Sequence, residues 1–100
     1  GDCYNIEETQ SISKFSSELK GSIPPSIGKL ENLNSIELGF NLLKGEIPKE
    51  IGNLKKLKYL GLYSNNLSGK IPDNLCDLID ENNINIKRIL QGNKIKNSCK

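Results

Sequence analysis

Hydrophobic residues in this chain fall into columns. Leu19, Leu43 and Leu67 are followed at fixed offsets by Gly21, Gly45 and Gly69, by Ile23, Ile47 and Ile71, and by Pro24, Pro48 and Pro72, so the pattern repeats every 24 residues. Within a copy, Ile36-Glu37-Leu38 and Tyr59-Leu60-Gly61-Leu62 place apolar side chains at alternate positions, which predicts a strand with one buried face. Successive copies run in the same direction, so these strands predict a parallel sheet, and each is too short to persist alone. The Ile-Pro step then forces extended backbone, because the residue before proline avoids the helical region. Pro25-Ser26-Ile27-Gly28 and Lys49-Glu50-Ile51-Gly52 predict short helical turns, closed by Gly28 and Gly52 before Leu30 and Leu54 return to the core. Asn41 and Asn65 occupy the bend after each strand, where an amide both donates to and accepts from backbone groups that the bend leaves unpaired. Stacked, they predict a structural asparagine ladder.

Both ends depart from the pattern. One period upstream, Ile12 falls in the column of Ile36 and Ser17 in that of Asn41, but Lys14 takes the buried position of Leu38 and Leu62. An enclosed lysine is costly. Either this rung is open to solvent, or the strand slips and Phe15 turns inward. Downstream, an unbroken period puts Ile84 and Ile86 in the strand and Ile89 in the asparagine column. Four extra residues instead align Leu90-Gln91-Gly92-Asn93-Lys94-Ile95 with Leu62-Tyr63-Ser64-Asn65-Asn66-Leu67. The second register is preferred, since it adds Asn93 to the ladder. It treats Asp80-Glu81-Asn82-Asn83 as a bulged polar turn and leaves Arg88 in a core column of a terminal rung.

The whole unit, L-x-G-x-I-P-x-x-I-G-x-L-x-x-L-x-x-L-x-L-x-x-N-x, resembles a leucine-rich repeat, and its G-x-I-P segment resembles the plant-type subclass. That resemblance implies an α/β leucine-rich-repeat solenoid of about four rungs, with a parallel sheet on the concave side and short helical turns on the convex side. It also implies one domain over residues 1–100: an N-terminal cap and degraded rung at 1–18, regular repeats at 19–78, and an irregular last rung with a C-terminal cap at 79–100. On such a rung the residues flanking the buried leucines point to the concave face. Ser35, Glu37, Tyr59, Phe15, Tyr63, Phe40 and Ser64 are thereby its candidate ligand-binding residues. Phe15, Phe40, Tyr59 and Tyr63 are four of the five aromatic residues in the chain, gathered on a face whose folding does not require them.

Composition agrees with a thin core. One hundred residues cannot enclose a deep one, and the chain has 14 Leu and 13 Ile but no Val, Ala, Met or Trp. A net charge of +2, spread along the chain, predicts no nucleic-acid partner. No apolar run is long enough for membrane insertion, and Gly1-Asp2-Cys3 does not open a signal peptide. The absence of histidine removes the usual general base and imidazole ligand, so the chain is read as non-enzymatic, with no cofactor and no metal. Of three cysteines, Cys99 falls in the column of Ile71 under the inserted register, within reach of Cys76 across rungs about 4.8 Å apart. The pair forms a disulfide or remains as free thiols, and Cys3 is the odd one. Asn66-Leu67-Ser68 is a possible glycosylation site at Asn66.

Two functions follow. Resemblance to plant-type repeats implies an extracellular or secretory-pathway recognition module whose partner is a protein, peptide or glycan. The alternative is a structural segment of a longer solenoid, or a homo-oligomer that binds no specific ligand.

Overall fold

The computed structural model describes residues 10–99. In chain order its strands are β1 (Ser11–Ser13), β2 (Lys20–Gly21), β3 (Ser35–Glu37), β4 (Leu42–Glu46), β5 (Tyr59–Gly61) and β6 (Asn66–Ser68). β1, β3 and β5 form one parallel sheet, in which the buried Ile12, Ile36 and Leu60 lie in register, and on the opposite side only Gly61 is also buried. The first rung therefore keeps its register. Lys14 stays in its column and donates its amide to the Glu37 carbonyl at 2.9 Å, while Phe15 remains half exposed instead of turning inward.

A second parallel sheet, β2-β4-β6, follows the bend, a feature the hydrophobic pattern did not predict. Its strands alternate too little to read as strands: Leu42-Leu43-Lys44-Gly45-Glu46 buries only Leu43. Gly21, Gly45 and Gly69 all adopt φ near +80°, at +84°, +83° and +81°, where a side chain would be strained. That requirement fixes the first glycine column.

The Ile-Pro step leads into 3-10 turns at Pro25–Lys29 and Lys49–Asn53, with Pro24 and Pro48 extended just before them. The second glycine column does not close these turns, as the sequence suggested, but lies inside them. A Cβ on Gly28 would meet the Glu50 Cβ at 2.7 Å, and one on Gly52 would meet the Asn74 side chain at 2.5 Å. Glycine is needed there so that the next rung can stack. Cys76 occupies the same column in the third copy, and there the turn extends into a full helix, α1 (Asp73–Glu81).

α1 absorbs Asp80 and Glu81, so the segment 80–83 is not the bulged turn expected. Asn82 caps the helix, and its amide donates to the carbonyls of Lys55 at 3.1 Å and Leu57 at 2.7 Å on the preceding rung. The last rung forms no strand either. It makes the short helix α2 (Lys87–Leu90), which turns Arg88 out to solvent and places Ile89 in the core at 0% exposure. Sheet hydrogen bonding nevertheless continues onto it, since Leu62 and Ser64 donate their amides to the carbonyls of Arg88 and Gln91.

Asn41 and Asn65 satisfy the bends. The Asn41 side chain donates to the carbonyls of Lys14 and Leu38 and accepts from the amides of Ser17 and Leu19, all at 2.8–2.9 Å, with the residue only 6% exposed. Asn65 donates to Leu38 and Leu62 and accepts from Leu43. Asn93 makes the third step: it donates to Leu62 and Ile89 and accepts from Leu67. Each buried group left without its partner would cost about 1–3 kcal/mol.

Candidate functional site

Ser35, Glu37 and Tyr59 occupy outward positions of the β1-β3-β5 sheet, Phe15, Phe40, Tyr63 and Ser64 follow just after its strands, and two glycines determine how Glu37 and the tyrosines lie. Gly39 leaves its own face bare, and a Cβ there would sit 2.4 Å from the Tyr63 ring. Gly61 does the same for the next pair, since a Cβ there would be 2.7 Å from the Glu37 carboxylate and 2.8 Å from the Tyr59 hydroxyl. Tyr59, Tyr63 and Glu37 thus lie flat across glycine floors instead of standing upright from the sheet. The hydrophobic pattern assigns no role to Gly39 or Gly61. Large neighbours on the adjacent rungs were the available signal.

Glu37 is the centre of this layer. One of its oxygens, Oε2, accepts from the Tyr59 hydroxyl at 2.7 Å and the Tyr63 hydroxyl at 3.0 Å, and Oε1 accepts from the Gly39 amide at 2.8 Å. Burial pushes the Tyr59 phenol well above its ordinary 10.0, and the hydrogen bond to Glu37 and the nearby negative charge push it further. Tyr63 is likewise raised by burial, by the hydrogen bond to Glu37 and by its charge, with the Tyr59 hydroxyl and Arg88 opposing. These two tyrosines are therefore held in place by a shared acceptor, and are not the free projections that strand geometry alone suggested. Ser35 lies opposite Tyr59 in the register.

Beside this network is an aromatic cluster. The Phe15 and Phe40 rings meet edge to face at 5.5 Å, Phe40 and Tyr63 at 5.6 Å, and Phe15 and Tyr63 are tilted at 6.5 Å. Phe15 is 50% exposed and Phe40 is 54% exposed. The Arg88 guanidinium lies over the Tyr63 ring, 5.5 Å from its centroid. Arg88 was expected in a core column; it joins the face instead because α2 rotates it outward.

Backbone conformation adds a second constraint. The residue before each ladder position is left-handed: Ser16 at φ 53°, Phe40 at 55°, Ser64 at 55° and Gly92 at 73°. Glycine takes this conformation without strain, serine tolerates it poorly, and a phenylalanine there is rare.

The Leucine Rich Repeat family profile matches residues 32–54 and 56–78. Among solved structures, PEPR1-AtPEP1 matches 88% of the chain at 33% identity with a TM-score of 0.70. The plant peptide hormone receptor RGFR1 in complex with RGF2 matches 69% of it at 45% identity with a TM-score of 0.67. The LRR ectodomain of the receptor kinase SOBIR1 from Arabidopsis thaliana matches 83% at 33% identity with a TM-score of 0.70. This chain is a leucine-rich-repeat protein of the plant type. It spans 12%, 11% and 44% of those three chains respectively. No curated protein sequence matches it.

Its remaining candidate residues are distributed along the repeats. Cys76 on α1 and Cys99 are joined by a disulfide with Cα atoms 5.3 Å apart, which pins the last segment against the third repeat. Cys3 lies outside the described residues. Asn66 is exposed at the start of β6. Among the described residues no cluster of three His, Cys, Asp or Glu side chains is placed to hold a metal, and no helix is long and apolar enough to cross a membrane.

Proposed function

We propose that this chain is a non-enzymatic recognition module that binds an extracellular peptide or protein segment on its concave face. Phe15, Ser35, Glu37, Phe40, Tyr59, Tyr63 and Ser64 form that surface. The observation that carries this reading is Phe40. It takes up a left-handed bend, where a bulky residue costs on the order of 1–2 kcal/mol, yet leaves more than half of its surface in water. Core packing does not explain a ring held there at such a cost. Strain maintained at an exposed aromatic is a mark of a contact surface. Similarity to receptors solved with peptide hormones supports a peptide over a glycan. The disulfide suits an oxidising compartment, and there Asn66 would carry a glycan on the second sheet, away from the aromatic cluster.

Phe40→Gly tests the proposal directly, because glycine restores an unstrained bend while deleting the ring. A displayed library of extracellular peptides, with a glycan array alongside, supplies the probes. Expected is a melting temperature unchanged or raised, as relief of strain offsets the lost ring contacts, together with at least a fivefold loss of affinity for the peptides selected, about 1 kcal/mol. A variant that binds as before but melts lower would make Phe40 a structural residue. A parent that sediments as a dimer at micromolar concentration, with Phe40→Gly monomeric, would assign the cluster to self-association instead.

A further inference from the structure

The Glu37 network has a chemical bias that the aromatic cluster alone does not. Among the described residues the three hydrogen-bond donors to the Glu37 side chain are the Tyr59 and Tyr63 hydroxyls and the Gly39 amide. All three are neutral, so they orient the carboxylate without cancelling its charge. A tyrosine has one hydroxyl proton, and both tyrosines direct theirs to the same oxygen. What the two hydroxyls have left are phenol lone pairs. Carboxylate and phenols together therefore form a patch that accepts hydrogen bonds and has no proton to offer a ligand. Burial, and after it the hydrogen bond to Glu37, disfavours deprotonation of either phenol, so the arrangement persists across neutral pH.

Ring geometry extends the bias to a cationic side chain with a long stem. The Phe15 and Phe40 planes meet at 80°, and Phe40 and Tyr63 at 87°, so the cluster presents walls and a corner instead of one flat surface. Tyr63 joins the two parts, with its ring against both phenylalanines and its hydroxyl on Glu37. The molecule already uses these rings for such a group, since its own Arg88 guanidinium lies over Tyr63. We propose that Glu37 selects an arginine or lysine head group of the bound peptide, whose methylene stem lies against Phe15 and Phe40. The proposal rests on peptide binding at the concave face and names the chemistry of the residue recognised there. It predicts that acidic groups are disfavoured beside Glu37, whose charge no hydrogen-bond donor cancels.

Two short probes isolate the charge: acetyl-Phe-Arg-amide and its neutral isostere acetyl-Phe-citrulline-amide, titrated into 15N-labelled protein. Expected are shifts of the Glu37, Gly39, Phe40 and Tyr63 amides by the arginine probe, at least tenfold weaker binding of the citrulline probe, and loss of that difference in Glu37→Gln. Equal binding of both probes at those amides would overturn the cation preference while leaving peptide recognition intact. Failure of the arginine probe to shift any of these amides would also overturn it, and the peptide library remains the separate test of the binding face. Should Glu37→Gln fail to fold, the comparison of the two probes on the parent protein still decides the matter.

Discussion

Tyr59 and Tyr63 illustrate how one acceptor can organise a surface. Strand periodicity placed both side chains outward, which is correct, but periodicity carries no information on what an outward ring will touch. Their position depends on Glu37 one rung earlier, at separations of 22 and 26 residues. This coupling has a consequence in alkali. In the folded state both phenols titrate above their ordinary 10.0, while in the unfolded chain they titrate near it. A raised folded value means that the associated stability is fully present below about pH 10 and is lost as pH rises above it, where the unfolded state sheds protons first. Urea denaturation between pH 8 and pH 11 should show stability falling above pH 10, and the double variant Tyr59→Phe with Tyr63→Phe should remove most of that fall. A phenolate absorbance that develops near pH 10 for both residues would show that the hydroxyls are not held by Glu37.

At the scale of elements, the legible parts were those that repeat. β3 and β5 with their 3-10 turns were readable because stacking forces the same residue type into the same column. The second sheet was not, because its pairing is through backbone and needs only a left-handed glycine. The last rung was misread for a different reason: Asn93 gave the right register, but alignment carried a strand over a segment whose own pattern is helical. Ile86, Ile89 and Leu90 follow helical spacing, as do Leu75, Leu78 and Ile79 in α1, and Ile89 instead of Arg88 fills the core. The segment after α2 forms no strand of its own, so the Cys76–Cys99 link matters more here than in a middle rung. Closing 23 residues of chain restricts the unfolded state by roughly 3 kcal/mol. Cys76→Ser and Cys99→Ser should each lower stability by up to that amount. Amide exchange should rise first at Lys94 and Lys96, whose amides donate to Leu67 and Gly69. Uniform acceleration across all rungs would mean that the solenoid unfolds only as a single unit.

The whole molecule is a flat stack, 33 × 30 × 18 Å, whose stability is a chain of contacts between neighbouring rungs. Among the described residues its two ends differ. α1, α2 and the disulfide close the last rung, while at the first an open apolar cavity of about 550 Å³ is lined by Ile12, Leu19, Ile23, Ile27, Leu30 and Leu43, among others. Burial declines toward that end. Ile36 and Leu60 are 0% exposed, whereas Ile12, in register with them, is 9% exposed. A residue packed on both sides loses contacts with two neighbours when truncated, and one at an open end loses contacts with one. Truncating a fully enclosed Ile or Leu to Ala costs about 2–5 kcal/mol, including the cavity left behind. Ile36→Ala should therefore lie in that range, with Leu60→Ala close to it because α2 covers the far side. Ile12→Ala should cost about half as much, since its site already opens to the cavity and can collapse or hydrate. Chemical denaturation of the three variants measures the order. An Ile12→Ala cost equal to that of Ile36→Ala would mean that the first rung is covered in solution as fully as the second, and that the cavity is closed by chain or by a second copy.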